Sequence, residues 1–153
     1  MSNTADGVSF REVQRFRQPW LWALLTVVSL VSIVASGPLG VVIAGGIVLF
    51  MWSLRLETEV RDDGLYLKFA PFHRSFRHVP WSEMDSFEAV TYRPIRDYGG
   101  WGIRWGPGKL AYNVSGSQGV RIDRSDDREL LVGSQRHYDL ARAIRDTARN
   151  AGY

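Results

Sequence analysis

From Gln18 through Leu54 the chain carries no charged side chain, although its 153 residues include 19 Lys and Arg and 16 Asp and Glu. Two helices apolar on every side need a nonpolar surrounding, and the remaining chain is too short to provide one. Taken as one helix, residues 19–54 would run about 50 Å, well beyond a hydrocarbon core of about 30 Å. Gly37-Pro38 stands at the middle. Proline breaks a helix there, and glycine permits the turn. The halves, about 20–36 and 39–54, would each run about 24–26 Å, the short end for a span. The expectation is a transmembrane helical hairpin over residues 19–54.

The flanks give an orientation. Trp20 and Trp22 open the first half and Trp52 ends the second. Folding at Gly37 brings all three to one membrane–water interface, where indole rings prefer to sit. Arg11, Arg15 and Arg17 precede the hairpin, Arg55 follows it, and the connecting turn is uncharged. The positive-inside rule then expects a two-span protein of the cell membrane with both termini cytoplasmic. Its interface residues would be Arg15, Arg17, Trp20, Trp22, Trp52 and Arg55. Ser32-x-x-x-Ser36 and Gly40-x-x-x-Ala44 offer small faces for close helix approach. A cleaved signal ending near Val34-Ala-Ser36 would leave the second apolar stretch unexplained. Residues 1–18 read as a basic flank. Met1 to Gly7 is small and polar, while Phe10, Val13, Phe16 and Trp20 recur at helical spacing. That spacing fits a helical turn lying at the interface, or an irregular basic segment equally well.

From Arg55 the pattern alternates. Leu56, Thr58 and Val60 oppose Glu57 and Glu59, and Asp62-Asp63-Gly64 supplies a hairpin turn into Leu65, Leu67 and Phe69. Further short strands are expected at 76–79, 86–92, 101–105, 120–123 and 129–132, with Pro80–Met84 a turn. In the fifth of these seven strands, Trp101, Ile103 and Trp105 are expected to face the core, with glycines in the turns at each end. The period then becomes helical. Leu140, Ala141, Ile144, Ala148 and Ala151 share one face, Ser134 is placed to cap the start, and Arg142 is spaced to pair with Asp146.

The tract Val79-Pro-Trp-Ser-Glu-Met84 with Phe87-Glu-Ala-Val90, and Leu131-Val-Gly-Ser-Gln135 before the helix, resembles the bacterial pleckstrin-homology-like (PH-like) family of small prokaryotic membrane proteins. That resemblance, over roughly residues 20–150, implies an α+β PH-like barrel over 55–153. About seven antiparallel strands would be closed by one C-terminal helix and anchored by the preceding hairpin. It carries over no biochemical activity.

Several chemistries are disfavoured. With no cysteine there is no disulfide, thiolate nucleophile or Cys-ligated metal. His73 and His78 stand five apart beside Arg74 and Arg77, on opposite faces if in one strand, and His137 is expected to be exposed at a helix start. Asp62-Asp63 and Asp126-Asp127 read as solvated turns rather than acid–base pairs. Gly99–Lys109 is rich in glycine, but a phosphate loop needs Gly where Ile103 stands and Ser or Thr where Leu110 stands. The charges of 55–153 are interspersed, which argues against nucleic acid. Acidic Asp62-Asp63, with Glu57 and Glu59, would repel a phosphoinositide at the first hairpin. No enzymatic activity, cofactor or metal is expected.

The remaining expectation is a membrane-anchored binding or scaffolding module. It would contact other membrane proteins, or further copies of itself, at the cytoplasmic surface. Tyr92, Arg93, Arg96 and Tyr98 form its candidate interaction loop, because Arg and Tyr favour interface hot spots. A solvated loop is the plainer alternative. A structural subunit packing through its hairpin against other membrane helices is the second functional reading.

Overall fold

The computed structural model describes residues 7–153; the small polar start of the chain lies outside them. Strand β1 (Val8–Arg15) precedes two helices, α1 (Pro19–Ser36) and α2 (Pro38–Ser53). Strands β2 (Arg55–Arg61), β3 (Gly64–Ala70) and β4 (Arg77–Pro80) follow, then a single 3-10 turn (Trp81–Glu83) and β5 (Met84–Thr91). A five-residue helix, α3 (Pro94–Tyr98), leads to β6 (Gly102–Gly106), β7 (Lys109–Asn113), β8 (Gln118–Arg124) and β9 (Glu129–Gly133). Helix α4 (His137–Asn150) closes the chain.

The strands form two sheets, ordered β1-β2-β3-β4 and β5-β8-β9-β7-β6. The β2–β3 hairpin turns at Asp62-Asp63, with Arg61 opposite Gly64. A Cβ on Gly64 would stand 2.4 Å from the Val79 carbonyl oxygen, so only glycine lets β4 approach there. Inward-facing Leu56, Val60, Leu65, Leu67 and Phe69 meet Val120, Ile122, Leu130 and Val132 of the second sheet in one core. Leu140 and Ile144 of α4, both fully buried, complete that core. Each such side chain contributes roughly 1.5–3 kcal/mol by leaving water.

The expected closed, antiparallel PH-like barrel is corrected on three counts. No strand pairing joins the two sheets among the described residues; β1 and β4 edge one, and β5 and β6 edge the other. There are nine strands rather than seven, and β7 runs parallel to β9. The membrane hairpin is corrected too. α1, with 18 residues, is one helix long and apolar enough to cross a membrane; α2 has 16, and one such helix is not a pair of spans. With 16 residues α2 falls short of the about 17–25 that a helical span uses, whereas α1 lies inside that range.

α1 and α2 nevertheless pack together. Gly37 breaks the helix at φ +55°, Pro38 begins α2, and a Cβ on Gly40 would fall 2.0 Å from the Ser32 carbonyl oxygen. Arg15 and Arg55 are register partners across β1 and β2, so the helical segment leaves and rejoins the sheet at one place.

Residues 8–15 are a strand, not the helical turn that Phe10, Val13 and Phe16 suggested. The inward face of β1 carries Phe10, Glu12 and Gln14, two of them polar, which hides its alternation. The polar pair is used: Gln14 Nε2 donates to the Gly133 carbonyl, and the Glu12 carboxylate accepts from the Ser134 hydroxyl and the Gln135 N–H. Ser134 Oγ in turn accepts from the Arg136 N–H, although Arg136 itself is the N-cap residue of α4. On α4 the ion pair is Arg136–Asp139 at 3.1 Å, not Arg142–Asp146.

Candidate functional site: the groove at the base of the helices

The base of α1 is tied into the sheets by side chains. Gln18 Nε2 donates to the Val114 carbonyl at 2.8 Å, and Trp22 Nε1 donates to the Phe16 carbonyl at 3.2 Å. Beside this junction lies an open cavity of about 750 Å³. Its walls are Phe16, Trp20 and Leu21 at the start of α1, Met51 and Leu54 at the end of α2, Phe69, Phe72 and His73 at the β3–β4 turn, and Gly100–Trp105 along β6. Its volume and mostly apolar walls are those of a small-molecule site.

Aromatic rings bind these walls together. Trp20 and Trp101 have centroids 6.0 Å apart, and Phe72 meets Phe50 of α2 edge-on at 6.0 Å. The expected core strand 101–105 is corrected here. β6 is an edge strand paired only with β7, and Trp105 is 78% exposed. Trp101 Nε1 donates to the Gly116 carbonyl, leaving its ring against the groove.

The polar groups of the groove are Arg77, Arg104, His73 and Gln18. Arg104 Nε donates to the Trp101 carbonyl at 3.1 Å, and a Cβ on Gly100 would come within 2.9 Å of that guanidinium. Among the described residues neither Arg77 nor Arg104 is in an ion pair. Burial, then the charge of Arg77, holds the His73 imidazole below its ordinary value. Its Nδ1 accepts the Phe69 N–H at 3.3 Å, so at neutral pH the ring is an uncharged acceptor. A second, polar cavity of about 390 Å³ shares Arg77 and Trp105 with the groove and is lined by Lys109, Arg124, Arg128 and Glu129.

The interface residues inferred from sequence gather around this base. Trp20 lines the groove, while Arg15, Arg17, Trp22 and Trp52 surround a second apolar hollow of about 400 Å³. Arg55 sits beside Glu57, with Nε 2.7 Å from the carboxylate. The inference missed Phe72, Arg77, Trp101, Arg104 and Trp105. The one available signal was a glycine-spaced pair of tryptophans with an arginine between them, which also suits an interfacial belt.

The candidate interaction loop is partly a helix and partly core. Tyr92 is buried with Ala111 and Leu131 on the outer side of the second sheet, and Tyr98 packs against it edge-on at 5.6 Å. Tyr98 Oη donates to Glu129 Oε1 at 2.6 Å; burial, then Glu129, pushes its pKa up. Asp97 accepts the Arg93 N–H at 2.8 Å. What faces solvent is Arg93, Ile95 and Arg96, with Ile95 69% exposed.

The histidines are dispersed. His73 lies in a turn rather than a strand, and His78 stacks on Tyr66 at 4.5 Å. His137 is buried at the start of α4, not exposed, and its ring centroid lies 4.1 Å from that of Tyr138. Among the described residues no three His, Asp or Glu side chains group as a metal set. No family model, curated protein or solved structure matches the chain.

Proposed function

We propose that the protein is a membrane-anchored, non-enzymatic binding module. α1 inserts in the bilayer, and the two sheets lie on the cytoplasmic face. The observation that carries this reading is apolar surface without protein cover. Along α1, Leu24, Val27, Leu30, Val31 and Val34 are exposed, and so are Leu39, Val42, Leu49 and Phe50 on α2. Exposed apolar area of this extent marks a membrane or partner surface. It continues onto the sheets through Trp20, Trp52, Phe72 and Trp105. Because Arg15 and Arg55 are paired, both flanks of the helical segment lie on one side. The nearby Arg15, Arg17, Arg74, Arg77 and Arg104 make that side the cytoplasmic one by the positive-inside rule.

At that surface, the Arg93–Ile95–Arg96 turn, braced from beneath by Tyr92 and Tyr98, is the face for a protein partner. A structural subunit is the second reading, favoured by Gly45 and Gly46, which leave open space beside α2 for another helix.

Alkaline carbonate extraction of membranes tests the anchor. The full chain should stay in the pellet, and Val31→Arg with Leu24→Arg should release it. A wild-type chain washed off by carbonate contradicts the reading.

A further inference from the structure

The groove at the helix base has mostly apolar walls and is also lined by two arginines, Arg77 and Arg104. We infer that it holds one anionic phospholipid of the bilayer, its acyl chain against Trp20, Phe72 and Ile103 and its phosphate at Arg77 and Arg104. This rests on the membrane anchoring proposed above.

Three observations favour that occupant. First, the groove is walled by the start of α1 and the end of α2, so it adjoins the place where α1 enters the bilayer in that reading. A lipid reaches it without crossing water. Second, Arg77 and Arg104 line an apolar cavity with no carboxylate paired to either. Both residues are exposed, and a guanidinium is suited to fork onto phosphate oxygens. Third, Arg77 and Trp105 border both the apolar groove and a polar cavity whose Lys109, Arg124 and Arg128 are each engaged by a carboxylate, so that Arg77 is the cation at that border in no ion pair among the described residues. An amphiphile needs a nonpolar chamber and a charged one sharing a border, and the border here is cationic. A soluble anion has no use for the first chamber, and an apolar peptide none for the second.

The test uses the full chain in vesicles of equal phosphatidylcholine and phosphatidylglycerol, extracted into mild detergent and weighed by native mass spectrometry. The wild type should retain one phosphatidylglycerol in preference to phosphatidylcholine. Arg77→Gln with Arg104→Gln should reduce that preference at least tenfold while the protein still floats with the vesicles. Phe72→Glu, at an exposed position, provides a second variant whose folding does not depend on the arginines, and it should lose the lipid as well. Arg142→Gln on α4 should retain it. Equal retention of both lipids, retention by the variants, or displacement by millimolar inorganic phosphate overturns the inference. A wild type that floats but retains no lipid overturns the groove alone; one that does not float overturns the anchoring with it.

Discussion

At the scale of single residues, polar side chains in this protein act mainly by fixing apolar neighbours. Tyr98 is the clearest case. Its hydroxyl is committed to Glu129, which lets the ring cover Tyr92, Ala111 and Leu131. Tyr98→Phe keeps the ring and removes the hydrogen bond, so it should cost about 0.5–1.5 kcal/mol in chemical denaturation. Retained stability would mean that Lys109 and Arg121, both within 4 Å of Glu129, satisfy it alone. His73 provides a pH-dependent counterpart. Burial and Arg77 hold its folded pKa below the ordinary 6.5. Between those two values the unfolded chain binds the extra proton, so stability rises with pH. The contribution is whole above 6.5 and is lost as pH falls through the folded value. Melting in detergent from pH 5 to 7.5 should therefore steepen below 6.5 for the wild type and flatten in His73→Gln.

At the scale of elements, close backbone approach decides what is tolerated. Gly40 lets α2 rest against the carbonyl of Ser32, and any larger residue must part the helices. Gly40→Val should cost about 1–3 kcal/mol, the usual range for overpacking, and lower the melting temperature of the full chain. An unchanged melt would place the contact outside the folding unit. Legibility in the sequence also differed by element. Leu56, Thr58 and Val60 alternate cleanly because one face of β2 is apolar. β1 was hidden because Glu12 and Gln14 point inward to partners more than a hundred residues away, a tertiary event that periodicity cannot report. β7 went unread because Ala111, Tyr112 and Asn113 are buried in succession. A strand covered on both faces need not alternate.

At the scale of the whole molecule, the uncharged stretch marked the helix that is long and apolar enough to cross a membrane, but not how the strands are arranged. Sheet order depends on pairing between distant segments, such as β7 beside β9, and no local motif encodes it. The candidate groove was hidden for the same reason. Trp101 and Trp105 looked like core because alternation shows that a face is apolar, not whether protein or lipid covers it. Only the position of β6 at a sheet edge, beside the start of α1, turns those rings into part of the groove's rim.

The central claim is that α1 lies in the bilayer with the base of the sheets at its surface. The chain has no cysteine, so single labels can be placed at will. Spin labels at Val34→Cys, Trp105→Cys and Arg142→Cys, in vesicle-reconstituted protein, should rank by protection from a water-soluble nickel chelate. Val34 should be shielded and oxygen-accessible, Trp105 intermediate, and Arg142 open. A label at Val34 as accessible to nickel as that at Arg142 would contradict the account.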